Sequence, residues 1–305
     1  MRCLMAESVR SFVYLEGFTM IPSQAASPPL VAVASGALAG WDLATMLGAL
    51  TAAGVDALEV AIGPSGLIPA GDRDAARDLK QHVADAGVLV CGADATLEIT
   101  LVDVDAAEVV KSAQALGAPF VRFFAPAFVP TKSLDDQMRS AQLALRELAT
   151  TAQSMQPPVT ILVEIAPNTL AASPELARRL IRERASLDGD DGAALGVIFD
   201  PGNMVAEGHL AADFAVALLG DTLHHVHVKN RVMVEEDGVW TATSQNLASG
   251  FVDWPGTVAA LRASGYRGTY TLDHLSGPVS VAGLASDVYE LRSMLASALE
   301  SELTT

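Results

Sequence analysis

Four polar residues stand at the ends of four consecutive β-rich runs: Glu164 in ILVEIAPN, Asp200 in GVIFDPGN, His227 in LHHVHVKN and Asp273 in TYTLDH. Brought together, three carboxylates and an imidazole would suit a divalent cation; apart, each is an ordinary strand-end polar residue. Carboxylates meeting in a low-dielectric pocket would repel one another and their pKa values would rise. A divalent ion relieves that repulsion. Three oxygens and one nitrogen suit Mn2+, Mg2+ or Co2+, and Zn2+ is also compatible.

Three of the six histidines, His224, His225 and His227, fall within residues 223–230. Side chains alternate along a strand, so His225, His227 and Lys229 share one face. His224, Val226 and Val228 take the other. His227 and Lys229 are therefore the candidates for chemistry, with His225 one layer deeper.

The elements that must position these residues alternate in type. Strands are expected at 30–35, 56–62, 88–94, 119–124, 159–166, 195–200, 223–230 and 268–274. Helical patterns lie between them, at 41–53, 72–86, 106–116, 134–154, 210–219 and 254–264, with a last one at 281–299. Gly54 and Gly117 close two helices as left-handed caps. Ser173 is an N-cap followed by Pro174 in the first helical position. Eight such units with short connections predict parallel strands in a closed (β/α)8 TIM barrel, with catalytic groups at the C-terminal strand ends. A doubly wound open sheet is the alternative, but GALAG (36–40) is a poor version of its glycine-rich phosphate turn. Residues 231–253 are the longest irregular segment. Residues 1–29 read as an N-terminal extension, with Met5 and Met20 as alternative starts, and 30–305 as the barrel domain.

The totals narrow the partners. The chain has 305 residues and is 50% apolar, enough for one large core or for two smaller domains. Its 19 basic and 36 acidic residues give a formal charge of −17, which repels nucleic acid and anionic membrane. No apolar run approaches the ~20 residues of a membrane span, and Glu7, Arg10 and Glu16 interrupt any signal-like stretch. Cys3 and Cys91 do not read as a structural disulfide, so a reducing, cytoplasmic setting is expected.

Five segments carry a family resemblance: AGVDALEV, LVEIAPNT, IFDPGNM, HHVHVKN and GFVDWPGTVAALRASGYRGTYTLDH. Through them the chain, from about residue 30 to 300, resembles the xylose-isomerase-like TIM barrels of the sugar-phosphate isomerase/epimerase group. The resemblance implies that Glu164, Asp200 and His227 bind a divalent metal. Asp273 stands where the fourth ligand is usually a glutamate. Being one methylene shorter, it would reach the ion by a backbone shift, through a water, or not at all. Asn230 stands where an aspartate often follows the lysine. The third and fourth strands lack the histidine with which many members bind substrate, and Arg122 is its candidate replacement.

That chemistry is isomerisation or epimerisation of a sugar or related polyol-ketone through an enediolate. The metal would hold a carbonyl and its neighbouring hydroxyl. Glu164 and Asp273 would take and return the proton. Lys229 would stabilise negative charge or bind a hydroxyl, or else form a rim ion pair with Glu164 or Asp200. Asn168 and Asn203 would bind substrate hydroxyls or orient ligands, or act only as turn residues. Arg122 and His225 complete the substrate-binding candidates. Glu59 would face the barrel mouth or, as the favoured reading, brace Arg122; Asp253 is expected to cap a helix, Trp254 to pack, and His274 to point away from the site.

Other activities share these groups. Elimination begins with the same proton removal, so a dehydratase or lyase acting on a keto-sugar or inosose, including carbon-glycoside cleavage, is an alternative. A partner-dependent subunit with little independent catalysis is another. Apurinic endonucleases of a related branch need more histidines than His82 and His209 provide, and the charge disfavours DNA. The apolar composition and the stretch MLASAL (294–299) are compatible with a homo-oligomer.

Overall fold

The structure is a computed structural model and describes residues 28–96, 100, 103, 105–182, 195–277 and 279–303. Nearly all of the expected N-terminal extension, with Cys3, Met5 and Met20, lies outside the described residues.

Strands β1 (Val31–Ala34), β2 (Ala57–Ile62), β3 (Leu89–Ala95), β4 (Phe120–Phe124), β5 (Thr160–Glu164), β6 (Leu195–Phe199), β7 (Leu223–Val228) and β10 (Tyr270–Leu272) form the barrel. They close in the order β1-β10-β7-β6-β5-β4-β3-β2, every pair parallel. This is the expected (β/α)8 TIM barrel. Parallel strands are buried on both faces, which is why β1 and β6 read as unbroken apolar runs and β2 as one broken only by Glu59.

The helices are α1 (Leu43–Ala53), α2 (Arg73–Asp85), α3 (Ala106–Leu116), α4 (Leu134–Gln153), α5 (Pro174–Arg182), α6 (Pro201–Met204), α7 (Ala212–Leu219), α8 (Trp254–Ala263) and α9 (Val281–Leu303). Their local signals agree with the sequence. Gly54 (φ 70°) and Gly117 (φ 82°) end α1 and α3 in the left-handed region. Ser173 Oγ accepts the Leu176 N–H at the start of α5, and Asp253 caps α8 through the Gly256 N–H. Among the described residues, no helix is long and apolar enough to cross a membrane.

Inside the barrel, Phe120, Leu162 and Ile198 form a small apolar cluster of their own. Each stands two residues before a polar group at the mouth: Arg122, Glu164 and Asp200 respectively. With a period of two, the apolar layer is thus the floor beneath the polar one. Gly92 makes room for it, since a Cβ there would lie 2.1 Å from the Phe120 ring.

One expectation is overturned. The segment after β7 is not irregular, because β8 (Asn230–Glu236) and β9 (Val239–Gln245) pair as an antiparallel hairpin. Its turn is Asp237-Gly238, both at positive φ, and Asp-Gly is a strong two-residue hairpin signal. Asn230 ties the hairpin's base to the loop that follows. Its Nδ2 donates to the Leu247 and Val252 carbonyls at 2.8 and 2.9 Å, while Oδ1 accepts the Val252 N–H at 2.8 Å. Only an amide can donate and accept in this way, which accounts for asparagine where family resemblance suggests aspartate. We expect Asn230→Asp to leave two buried carbonyls facing a carboxylate and to cost about 2–4 kcal/mol. Urea unfolding measures this, and unchanged stability would contradict the clamp.

Candidate active site

The four strand-end groups converge. Glu164 ends β5, and Asp200 follows β6 as the N-cap of α6, accepting the Asn203 N–H at 2.9 Å. Asn203 turns back and donates Nδ2 to Glu164 Oε1 at 2.8 Å and to the Ile165 carbonyl at 3.0 Å. His227 Nδ1 lies 3.4 Å from Glu164 Oε1 and 3.8 Å from Asp273 Oδ1. Glu164, Asp200, His227 and Asp273 offer ligand atoms within 4.8 Å of one another. Lys229 Nζ sits among the same carboxylates, 2.8 Å from Asp200 Oδ2, in contact with Asp273 Oδ2 and 4.0 Å from Glu164 Oε1. Trp254 is fully buried and donates Nε1–H to the Lys229 carbonyl at 3.1 Å, fixing the backbone that carries this lysine.

A second group, Glu59, His225 and His227, lies alongside. Glu59 Oε2 is 3.2 Å from His227 Nε2 and 3.3 Å from His225 Nε2. His225 Nε2 also meets Thr271 Oγ1 at 2.7 Å, and its ring packs on Phe120. A carboxylate only accepts, so Glu59 draws the Nε2–H of His227 toward itself and leaves Nδ1 turned to Glu164 and Asp273. The two groups differ in what they leave unsatisfied. His227 Nδ1 is buried without a hydrogen-bond partner, and Glu164 Oε2 and Asp200 Oδ2 meet the ion-pairing Arg122 Nε and Lys229 Nζ at 3.2 and 2.8 Å, whereas no side-chain atom of Glu59 or His225 is left unpartnered. Buried polar groups are normally paired. The first group therefore fits a divalent cation, with Glu59 and His225 supporting it from below.

The electrostatics agree. Glu59, Asp94, Glu164, Asp200 and Asp273 are five carboxyl groups, the first four buried and Asp273 nearly so. Among the described residues, Arg122, Lys229 and a protonated His227 are the cations that pair with them. Burial would raise Glu164, but Arg122 and His227 hold it down at about 2. Burial likewise opposes the charge on Glu59 and Asp273, yet the two histidines hold Glu59 low and Lys229 with His227 holds Asp273 low. Burial pushes Asp200 up to about 7 against Lys229, and Asp94 up to about 7 against Arg122. Asp200 and Asp273 share Lys229 and still move in opposite directions. Three cations cannot serve five carboxyls, and the fully buried Asp200 keeps the proton more readily than the partly exposed Asp273. Burial lowers His227, but Glu59, Glu164 and Asp273 together raise it well above its usual value.

Not every expected residue joins. Arg122 is there, but Glu59 does not brace it; its ion pairs run to Asp94 and to Glu164 Oε2 at 3.2 Å. Asn203 orients Glu164. His225 lies beneath the site as a support, so its expected place among substrate contacts is not where the structure puts it. Asn168 is exposed in a left-handed turn (φ 59°), its N–H donated to Glu207 Oε1. That is the turn role, and Asn168 itself does not line the cavity between its neighbours Pro167 and Thr169. His224 is exposed, with Nδ1 against the Thr222 carbonyl, and His274 is exposed beside Asp273. Asp94 was missed, although it closes VLVCGAD as the other acids close their strands. A cavity of about 650 Å³ opens over the group, lined by Asp94, Arg122, Glu164, Asn203, Lys229 and Asp273 on its polar side.

The family model described as the xylose isomerase-like TIM barrel matches residues 47–290. This chain belongs to that family. No curated protein matches the sequence. Among solved structures, a xylose isomerase-like TIM barrel protein from Mycobacterium smegmatis in complex with magnesium is similar at 19% identity and a TM-score of 0.66, covering 90% of this chain and 99% of that one. An L-ribulose 3-epimerase is similar at 16% identity and 0.68, over 91% and 98%. The probable 3-DHS dehydratase AsbF from Bacillus anthracis is similar at 12% identity and 0.62, over 86% and 98%. At these identities the likenesses establish the fold alone.

Two outcomes follow from the geometry. An ion must displace the protons on Asp200 and on His227 Nδ1, and both are held more firmly as pH falls. Mn2+ affinity should therefore strengthen about tenfold or more per pH unit on approaching pH 7 from below, read by titration against the electron paramagnetic resonance of free Mn2+. A pH-independent affinity would contradict the assignment. Glu59→Gln, which loses the purely accepting partner of His227, should weaken Mn2+ binding about 10–100-fold while the far-ultraviolet circular dichroism stays unchanged.

Proposed function

We propose that this protein is a divalent-metal-dependent isomerase or epimerase acting on a sugar or related polyol-ketone. The observation that carries this reading is the buried, unpartnered Nδ1 of His227 facing Glu164 and Asp273, with Asp200 beside them. An ion held by these four residues would supply Lewis acidity toward a carbonyl and its neighbouring hydroxyl. Mn2+, Mg2+ and Co2+ suit the oxygen-rich set best, and Zn2+ also fits.

The chain's own groups account for the proton transfer. Glu164 and Asp273 are both ionised at neutral pH, as a proton acceptor must be, while the cations that hold them so also weaken them as bases. Asn203 fixes Glu164 by one oxygen, and the other faces Arg122 Nε at 3.2 Å. Lys229, held protonated by Asp200 and Asp273 against its burial, places positive charge where an oxyanion would develop. Elimination is the second reading. Lys229 Nζ touches Asp273 and could pass a proton to a departing hydroxyl.

The test is to incubate the Mn2+-loaded protein with ketoses in D2O and follow the spectrum by nuclear magnetic resonance. Deuterium should enter the carbon next to the carbonyl, with an epimer or isomer appearing. Glu164→Gln and Asp273→Asn should each slow exchange about 10²–10⁴-fold. Product that has lost water would favour elimination, and a fully active Glu164→Gln would overturn the assignment.

A further inference from the structure

Among the described residues, three cations line the cavity: Arg122, Lys229 and Arg231. The first two are matched by the site's own carboxylates, Arg122 by Asp94 and Glu164, and Lys229 by Asp200 and Asp273. Arg231 is not. Among the described residues its guanidinium makes no ion pair and no hydrogen bond, in a chain that sets 36 acidic residues against 19 basic ones.

The fold holds this arginine against the cavity. Arg231 is the second residue of β8. Its N–H donates to Asn230 Oδ1 at 3.0 Å, and its carbonyl accepts the Phe251 N–H at 2.7 Å. The clamp that ties down the hairpin thus fixes the backbone of Arg231 as well. Arg231 and Met233 share one face of β8, and Met233 packs against the barrel core. That face is turned toward the barrel, and the guanidinium with it. Its five N–H groups divide in two. Nε is buried without a partner and is closed to a ligand. The four N–H groups on Nη1 and Nη2 are neither bonded nor buried. Two of them, one from each nitrogen, form the end-on fork that matches both oxygens of a carboxylate.

We infer that Arg231 anchors a carboxylate at the far end of the substrate, so that the protein acts on a ketose acid. The inference rests on the proposed reaction for the sugar-like part of the substrate, and on Arg231 for the acid. Arg231 is half-buried, so its charge is partly stripped of water. A hydroxyl offers it a dipole, whereas an anion offers the opposing charge. A phosphate carries close to two negative charges at neutral pH. It would meet a single unmatched cation, close to a site already crowded with carboxyls. A carboxylate brings one charge to one cation. Two residues of extended chain, about 7 Å, separate Arg231 from Lys229. The acid would therefore lie away from the ion's ligands and leave the carbonyl and its neighbouring hydroxyl to them.

The test compares D-fructose, D-fructuronate and D-fructose 6-phosphate by ligand-observed nuclear magnetic resonance on the full chain, metal-free and loaded with diamagnetic Mg2+. Fructuronate should bind at least about tenfold more tightly than fructose, the worth of roughly one charge-assisted hydrogen bond, and more tightly than the phosphate. Arg231→Gln should bring fructuronate down to the level of fructose. Arg231→Lys keeps the charge without the fork and should retain part of the preference. Circular dichroism checks that both variants are folded. Wild-type protein that binds fructuronate no better than fructose, or not at all, overturns the inference. So does tighter binding of the phosphate. A preference that survives Arg231→Gln also overturns it, because the carboxylate would then sit on the ion or on another cation. The proposed reaction is read apart from this. A preference lost in Arg231→Gln, without deuterium exchange, would uphold the anchor and count against the isomerase. Deuterium exchange into fructose without any preference for the acid would do the reverse.

Discussion

The site is governed by an imbalance of buried charge. Five carboxyl groups are gathered at one end of a barrel around three cationic side chains. Two acids are left over, and two, Asp94 and Asp200, are the ones whose protons are held up to about 7. An uncompensated buried charge is among the most costly features a fold can carry. Natural structures keep one where a ligand resolves it. The surplus has the sign that a divalent cation relieves, and the unpaired His227 nitrogen marks where such an ion would sit.

The surrounding structure holds that arrangement in tension. Phe120, Leu162 and Ile198 exclude water from below, which strengthens every interaction above them. Glu59 and His225 fix the His227 ring, Asn203 fixes Glu164, and Trp254 anchors the Lys229 backbone. Lys229 acts as a partial substitute for the ion, neutralising Asp200 and Asp273 without satisfying His227. The hairpin after β7, clamped through Asn230, brings Arg231 to the cavity wall.

Much of this was legible in the sequence. Strand-end acids and an imidazole at successive β-runs are a periodic signal, and the barrel follows from the β/α alternation. What escaped did so for physical reasons. Glu59 lies in mid-strand, where pairing with histidines on the far side of the barrel depends on closure and not on local pattern. Asp94 obeys the same strand-end rule but falls outside the run of four consecutive strands that drew attention. Asn168 and Asn203 look alike in sequence, each following a strand by a few residues. One enters a left-handed turn and the other a short helix, so only Asn203 reaches Glu164. The hairpin was hidden in a polar segment whose Asp-Gly turn outweighs its weak apolar alternation.

The proposed chemistry depends on one cation between Glu164, Asp200, His227 and Asp273, and metal content reads that ion out. The protein would be loaded with Mn2+, freed of excess ion and analysed for metal per chain, beside a folded His227→Ala variant. About one ion per wild-type chain, lost in the variant, is the predicted result. Folded wild-type protein that retains no ion under these conditions would rule such a site out.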